Sequence, residues 1–198
     1  MTTWNERYSN PEFIYGKQPN DYFKSIIDSL PVGRVLIPAA GEGRDAIYAA
    51  KLGWEVYAFD ASSKAQEKAL KWAQEEHLNL HYFNEDAMNV RLPLESFDLI
   101  ALIFFHLPVS IRKAFHEKSV KWLKKGGILA LEGFTPEQLP LSSGGPKDLS
   151  MLFTKEIIKD DFAFLKFKEL NAFQRILNEG PLHQGLAHVI QFTGQKIK

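Results

Sequence analysis

The chain has 198 residues, of which 45% are hydrophobic and 24% charged, and 24 Lys plus Arg balance 24 Asp plus Glu. This length and composition predict one domain, residues 1–198, with a sizeable core. Zero net charge argues against nucleic acid or an anionic membrane as a partner. The lack of cysteine excludes disulfides and thiolate chemistry, and no apolar run is long enough to span a membrane. Because the first ten residues lack the apolar core of a secretory signal, we expect a cytoplasmic protein.

Residues 1–30 predict an aromatic arm followed by a helix. Residues 1–19 are rich in aromatic side chains but interrupted by proline and glycine, so we expect no regular element there. They are too apolar for disorder, which leaves two interpretations: an arm packed permanently on the domain, or a flap that closes over a ligand. Asn20 is typical of an N-cap and predicts a helix through Leu30.

Residues 34–60, RVLIPAAGEGRDAIYAAKLGWEVYAFD, predict one βαβ unit. The apolar run 35–37 is typical of a buried parallel strand, and a glycine-containing turn follows it. A helical pattern then stops at Gly53, and a second strand over 55–59 ends in Asp60.

This unit also predicts a ligand. Gly41 and Gly43 have no Cβ, so a ligand can lie against the backbone beside the N-terminus of the following helix. Asp60 follows the next strand, where a carboxylate can accept both hydroxyl protons of a ribose. We therefore predict a ribose-bearing ligand at this edge of the sheet.

The middle of the chain continues the alternation of helices and strands. A capping box at Ser63 and Gln66 predicts a helix to about His77, and Pro108 predicts the first turn of a helix that runs to about Lys125. The almost wholly apolar run FDLIALIFF indicates a central strand covered on both faces. The further parallel strands are predicted at 80–83, 97–105 and 128–134.

The last third predicts a loop, a short helix and a hairpin. Residues 135–150 hold several prolines and glycines without periodicity, which is typical of a functional or mobile loop, and we interpret them as a candidate lid. Thr154 predicts a cap for a helix to about Asp160, and residues 164–177 and 186–196 predict two antiparallel strands. The predicted fold class is α/β: a doubly wound, Rossmann-like sheet of mainly parallel strands with a C-terminal antiparallel β-hairpin. Within it, residues 1–30 form the arm and first helix, 34–134 the cofactor-binding core, and 151–198 the C-terminal helix and hairpin.

Two ligands suit such a unit, a dinucleotide and S-adenosylmethionine. The spacing Gly41-x-Gly43-x-x-Ala46 matches a dinucleotide fingerprint. Three features favour S-adenosylmethionine: the short chain, the further acid Asp86 after the third strand where an adenine edge would lie, and the closing hairpin.

The chain resembles the class I S-adenosylmethionine-dependent methyltransferases over nearly its whole length. The stretch VLIPAAGEGRDAIYAAKLGWEVYAFDAS resembles their glycine loop and ribose acid, and NEDA at 84–87 resembles their adenine-contacting segment. FDLIALIFFHLP resembles their fourth strand and the active-site edge after it. WNERYSNPEFIYGKQPNDYF resembles the arm of the small bacterial thiopurine and tellurite-resistance branch, and LHQGLAHVIQFTGQK resembles the closing strand of related methyltransferases.

The chain also departs from the family pattern. The family's acid at the end of the first strand would fall at Ile37, and the first glycine of its loop at Ala39. In the family that acid helps hold the methionine amino group, so another group must do so here. The Ile37-Pro38 pair resembles the thiopurine-type branch.

The resemblance implies a role for each matching residue. The methionine part would lie along Ala39, Gly41 and Gly43; Asp60 would bind the ribose diol, Ala61 would flank the adenine, and Asp86 and Ala87 would bind its edge. Ile103 and Phe104 would border the sulfonium. The contacts from the arm would be Trp4, Arg7 and Tyr15.

The predicted activity is methyl transfer from S-adenosylmethionine to a small-molecule acceptor. No strong base constellation is visible, which favours a soft nucleophile such as sulfur, selenium or tellurium. His106 and His183 are the candidate catalytic residues, although each is also consistent with a structural histidine, and no metal-ligand spacing stands out. An NAD(P)-binding protein and a non-catalytic S-adenosylmethionine-binding protein are the alternatives. Nucleic acid and membrane are not expected as partners, and the protein would be a monomer or homodimer.

Overall fold

A computed structural model describes residues 3–197, and in it a seven-stranded sheet carries helices on both faces. The strands are β1 Arg34–Pro38, β2 Glu55–Asp60, β3 His81–Asn84, β4 Phe97–Ile103, β5 Leu123–Phe134, β6 Leu165–Asn178 and β7 Gln184–Lys196. The helices are α1 Trp4–Tyr8, α2 Asp21–Ile27, α3 Arg44–Lys51, α4 Ser63–Glu75, α5 Val109–Trp122 and α6 Lys155–Asp161. No helix in this part of the chain is long and apolar enough to cross a membrane.

The strand order is β3-β2-β1-β4-β5-β7-β6. Strands β1 to β5 pair in parallel, whereas β7 is antiparallel to both β5 and β6. This topology confirms the predicted α/β sheet with a C-terminal hairpin. It also brings the carboxyl ends of β1, β2 and β4 to one edge, where open α/β sheets bind their ligands.

Alternating side chains of the central strands fill two apolar layers. Leu36 and Ile100 pack in the layer that also holds Phe115 of α5 and Ile158 of α6. Leu99, the neighbour of Ile100, belongs to the layer on the opposite face, with residues of α2, α3 and α4. Because β4 is covered on both faces, nearly every position of FDLIALI had to be apolar.

Three helix ends differ from the sequence-based expectation. Helix α2 ends at Ile27 rather than at Leu30, and Asp28 is its C-cap. The cap of α4 is Ser62, whose hydroxyl accepts from the N–H of Ala65 at 3.2 Å, so the box predicted at Ser63 and Gln66 is wrong; the Gln66 amide donates to the Tyr82 carbonyl at 2.8 Å. Helix α5 ends at Trp122 rather than near Lys125 because Leu123 is already extended, fully buried and paired with Phe97.

The two irregular segments contain short helical turns. The arm includes α1, which begins with a capping box between Thr3 and Glu6 and was not predicted. The loop 135–150 contains the 3-10 turn Pro136–Gln138 and the start of a second one, Leu149–Met151. Both predicted caps at Asn20 and Thr154 are confirmed, since their side chains accept from the N–H groups of Phe23 and Ile157.

Candidate functional site

The backbone takes the left-handed conformation at two neighbouring strand exits. Ala39, Gly41 and Gly43 have φ values of 50°, 54° and 88° in the turn after β1. Phe104, directly after β4, has φ 50°. For Ala39 and Phe104 this conformation is strained, and such strain concentrates at functional sites. Two adjoining exits at the carboxyl edge of the sheet are therefore held in an unfavourable backbone geometry; among the described residues, His77 and Glu95 also have positive φ but lie elsewhere.

Asp60 braces the glycine loop from the neighbouring strand. Its Oδ2 accepts from the N–H of Gly41 at 3.0 Å and its Oδ1 from the N–H of Ser62 at 2.8 Å. Burial raises the pKa of this carboxyl, while the two N–H groups lower it. A carboxylate has about four lone-pair sites, so Asp60 keeps acceptor capacity beyond these two bonds.

The end of β3 lies beside Asp60. Register pairs Asp60 with Asn84, and the Asn84 amide donates to the Asp60 carbonyl at 3.0 Å. Asp86 is exposed and its Oδ1 accepts from the N–H of Met88 at 2.8 Å. Ala87 is buried, and its N–H has no acceptor among residues 3–197. This corner, which also includes the exposed Ala61, therefore offers a carboxylate and a free N–H side by side.

The arm lies on the glycine loop. A Cβ on Gly41 would lie 2.8 Å from the hydroxyl of Tyr8, so this glycine is required for the contact. The Tyr8 ring stacks on Trp4 with centroids 5.8 Å apart, and the Arg7 guanidinium lies 4.9 Å from the Trp4 ring centroid. Trp4 and Arg7 stay exposed at the rim, whereas Tyr15 is half-buried further in.

Buried charges anchor the arm. The N–H of Tyr15 donates to Glu42 at 3.3 Å, and the carbonyl of Tyr15 accepts from Arg44 at 3.0 Å. The Lys68 ammonium donates to the carbonyls of Asn10 and Glu12 and pairs with Glu42. Because the Glu42 and Arg44 side chains are shielded from water, these contacts are stronger than ordinary surface pairs.

His183 occupies the turn between β6 and β7 within a group of aromatic rings. Its ring centroid lies 4.7 Å from that of Tyr15, 4.6 Å from Phe104 and 5.5 Å from Phe134. Its Nδ1 faces Glu179 Oε2 at 3.4 Å, and no residue of 3–197 hydrogen-bonds to Nε2. Burial lowers the pKa of His183 even though Glu179 raises it, so the ring is neutral at pH 7 with Nε2 as an acceptor.

Comparison with known proteins indicates the activity. A protein-family model described as a methyltransferase domain matches residues 35–127, the part that carries β1 to β4 and the glycine loop. A thiopurine S-methyltransferase from Legionella pneumophila is 25% identical over 219 aligned positions, which cover 89% of this chain and 97% of that protein. The chain is an S-adenosylmethionine-dependent methyltransferase with the class I fold. Its cofactor is therefore S-adenosylmethionine, not the dinucleotide that the loop spacing also allowed.

Solved structures share the fold of this methyltransferase. TehB from Haemophilus influenzae superposes with a TM-score of 0.73 at 16% identity, over 98% of this chain and 65% of that one. An S-adenosylmethionine-dependent methyltransferase from Methanosarcina mazei gives a TM-score of 0.71 at 17% identity, over 87% and 97% of the two chains.

His106 of the methyltransferase, the other predicted catalytic histidine, has no free ring nitrogen. Its Nδ1 donates to the Met151 carbonyl at 2.8 Å, and its Nε2 accepts from the N–H of Phe134 at 3.0 Å. The ring stacks between Phe134 and Phe153, and burial lowers the pKa of His106 to about 4. This geometry favours a structural role and leaves no lone pair for a substrate proton.

Ile103, at the end of β4, lies in the same apolar layer as Ile37, which is 2% exposed. The exit of β1 therefore carries no acid, as its sequence indicates. Phe104 follows Ile103 and packs on Phe134 with centroids 4.6 Å apart. These side chains make the exit of β4 an apolar wall.

A buried polar network behind His183 was missed by sequence reasoning. The Asn20 amide donates to Glu132 at 2.6 Å and to Glu179 at 2.9 Å, and Arg175 donates to Glu132 at 2.7 Å. Arg44 pairs with Glu179 at 2.9 Å. Burial would raise the pKa of Glu179, but its bonds to His183 and Arg44 outweigh this effect and lower it to about 2. Glu179 is therefore a permanent carboxylate beside His183.

Proposed function

We propose that this methyltransferase transfers the methyl group of S-adenosylmethionine to a small acceptor whose nucleophile is soft, with sulfur, selenium or tellurium favoured over nitrogen or oxygen. One observation carries the proposal. His183 is neutral, faces Glu179, and lies among the rings of Tyr15, Phe104 and Phe134 at the exit of β4. Aromatic walls suit a small apolar acceptor, and a neutral imidazole can take its proton.

The cofactor would be held along the carboxyl edge. Asp60 would accept from the ribose hydroxyls, and Asp86 with the free N–H of Ala87 would bind the adenine edge beside Ala61. The methionine part would follow Ala39, Gly41 and Gly43. The residues bordering the sulfonium would be Ile103 and Phe104, under arm contacts from Trp4, Arg7 and Tyr15.

The bound cofactor supplies an activated methyl group on a sulfonium, so the protein needs no acid for the leaving group. Alignment of the acceptor can supply about 7–11 kcal/mol of the barrier reduction. A thiol is already a few per cent ionised at neutral pH, and His183 Nε2 would accept the proton from the remainder. The guanidinium next to His183 is that of Arg44, which already pairs with Glu179, so an uncharged thiol suits this site better than an oxyanion.

The relatives add support of a coarser kind. The Legionella pneumophila protein is a thiopurine S-methyltransferase by name, which is consistent with a sulfur acceptor. Balanced net charge is consistent with a small acceptor rather than nucleic acid.

A turnover screen tests the proposal. Release of S-adenosylhomocysteine is measured with thiol, selenol, tellurite, amine and hydroxyl acceptors and with RNA and DNA, using Asp60→Ala as the cofactor-binding control. We expect thiols or selenols to react fastest. Faster methylation of an amine or of nucleic acid would refute the soft-acceptor proposal.

A further inference from the structure

The arm packs backbone to backbone on the turn that carries His183. A Cβ on Gly180 would lie 2.4 Å from the nitrogen of Gly16 and 2.7 Å from the carbonyl carbon of Tyr15. The N–H of Leu182 donates to the carbonyl of Ile14 at 3.1 Å. The arm therefore sits closer to this turn than any residue with a side chain at position 180 would allow.

One guanidinium connects the same two segments. Arg44 donates through Nη1 to the carbonyl of Tyr15 at 3.0 Å and through Nη2 to Glu179 Oε2 at 2.9 Å. The same Oε2 faces Nδ1 of His183. The other oxygen of Glu179 accepts from Asn20, at the start of α2. Both the arm and the carboxylate that orients His183 thus depend on Arg44.

We propose that docking of the arm and alignment of His183 are a single event, with Arg44 and Glu179 as the positioning residues. This inference rests on the proposed function, in which His183 accepts the proton of the acceptor. When the arm leaves, the imidazole loses the Tyr15 ring against which it packs, and Arg44 loses the carbonyl that fixes its guanidinium. The imidazole keeps its contacts with Phe104, Phe134 and Glu179 but loses this side of its packing, so its alignment loosens and the methyltransferase reaches full activity only after the arm has docked.

A matched pair of alanine variants tests the arm contact. Gly180→Ala and Gly185→Ala both place alanine at positive φ, 93° and 106°, but only the first meets the arm, since nothing lies within 4 Å of a Cβ at 185. With benzyl mercaptan as probe acceptor, we expect Gly180→Ala to increase hydrogen exchange in residues 4–19 and to lower kcat about 10- to 100-fold. Gly185→Ala should keep the wild-type hydrogen exchange of the arm and the wild-type kcat. Faster exchange of the arm with unchanged kcat would overturn the inference.

Two further variants, Glu179→Gln and His183→Gln, test the inference even if Gly180→Ala does not fold. The charged groups that face His183 are Glu179 and Arg44, and the Tyr15 ring packs against it. His106 is neutral, so its ring adds no charge near His183 at pH 7. Glu179→Gln keeps the shape of the side chain but removes its charge, so kcat should fall about tenfold, with the acidic limb of its pH profile moved to lower pH and KM for the cofactor little changed.

His183→Gln separates failure of the inference from failure of the function. This variant should lose the acidic limb and about 10²-fold in kcat. If it keeps the wild-type kcat, His183 is not the base, and both the proposed role of His183 and this inference are wrong. If it loses kcat while Glu179→Gln and Gly180→Ala do not, only the coupling is wrong.

Discussion

The carboxylate of Asp60 accepts a hydrogen bond from the backbone N–H of Gly41 at 3.0 Å, so the acid at the end of β2 holds the loop that follows β1. Asp60 ends β2 and Gly41 lies in the turn after the neighbouring strand β1, so the bond fixes the loop before any ligand arrives. Preorganisation of this kind lowers the ordering cost of binding. Asp60 therefore contributes to affinity through the loop as well as through its own contact with a ribose.

Replacement of Asp60 by alanine should weaken cofactor binding. Loss of a charge-assisted contact to the diol is expected to cost about 1.5–3 kcal/mol of binding free energy. Calorimetry with S-adenosylhomocysteine measures this, with Asp160→Ala on the exposed end of α6 as the control and NAD as a ligand that should not bind. An unchanged affinity in the Asp60 variant would contradict the assignment.

Asp86→Ala should remove discrimination for the adenine amino group. The variant is expected to bind S-adenosylhomocysteine about 1 kcal/mol more weakly, because an exposed carboxylate loses one hydrogen bond from the amino group. The analogue that lacks the 6-amino group supplies the control, since wild type and variant should bind it equally. A variant that weakens both ligands by the same factor would place the adenine elsewhere.

The effect of His183→Gln should depend on the acceptor. Base catalysis contributes about 10²–10⁴-fold only where a proton must be removed. Turnover of benzyl mercaptan should therefore fall by at least about 10²-fold, whereas the more acidic thiophenol, already largely ionised, should be much less affected. Equal losses with both thiols would argue for a packing role of His183.

His106 should govern stability. Replacing it by leucine leaves the N–H of Phe134 and the carbonyl of Met151 unpaired, which is expected to lower the free energy of unfolding by about 2–4 kcal/mol. The same change at His81, which is exposed, should shift it by less than about 0.5 kcal/mol. Urea denaturation measures both.

Acidification should destabilise the methyltransferase through the same residue. The folded pKa of His106 is about 4, below the unfolded value of 6.5, so the unfolded chain binds the proton first as pH falls. Up to about 3 kcal/mol of the free energy of unfolding is lost between these two values. His106→Leu should show a shallower slope of stability against pH over this window, and an unaltered slope would mean that other groups dominate.

The arm and the loop 135–150 should be protected by the cofactor. Both are expected to exchange faster without ligand and to slow when S-adenosylhomocysteine is bound, because lids that exclude water close over the ligand. Hydrogen exchange of residues 4–19 and 135–150 decides this. Equal protection with and without ligand would make both segments fixed scaffold.

Much of the fold could be predicted because its determinants are local. A few neighbouring residues suffice to predict each of three features: the loop at 39–43, the acid at Asp60 and the apolar strand β4. The end of α5 could not be predicted, since Leu123 leaves the helix to pair with Phe97 and this partner is distant in the sequence. The cap of α4 was predicted at Ser63 but is Ser62, because the serine spacing alone does not show which residue starts the helix.

The site behind His183 was beyond sequence reasoning for the same reason. Arg44 and Glu179 are separated by 135 residues, and Asn20 and Glu132 by 112. Nothing near Glu179 in the chain marks it as buried or paired. Likewise, His106 after β4 and His183 in the turn before β7 were equally good candidates in the sequence, and only the hydrogen bonds of His106 to Met151 and Phe134 distinguish them.

Strand β7 follows every other strand in the chain yet lies between β5 and β6 in the sheet. On the ribosome, β1 to β6 emerge first, and β6 has no partner in the native sheet until β7 arrives. The edge of β5 stays unpaired for the same period, and His183, in the turn before β7, is not yet in its native position. The methyltransferase therefore acquires its activity late in synthesis, when a strand inserts into the interior of the sheet, and a nascent chain stalled before residue 184 would expose two unpaired edges to aggregation.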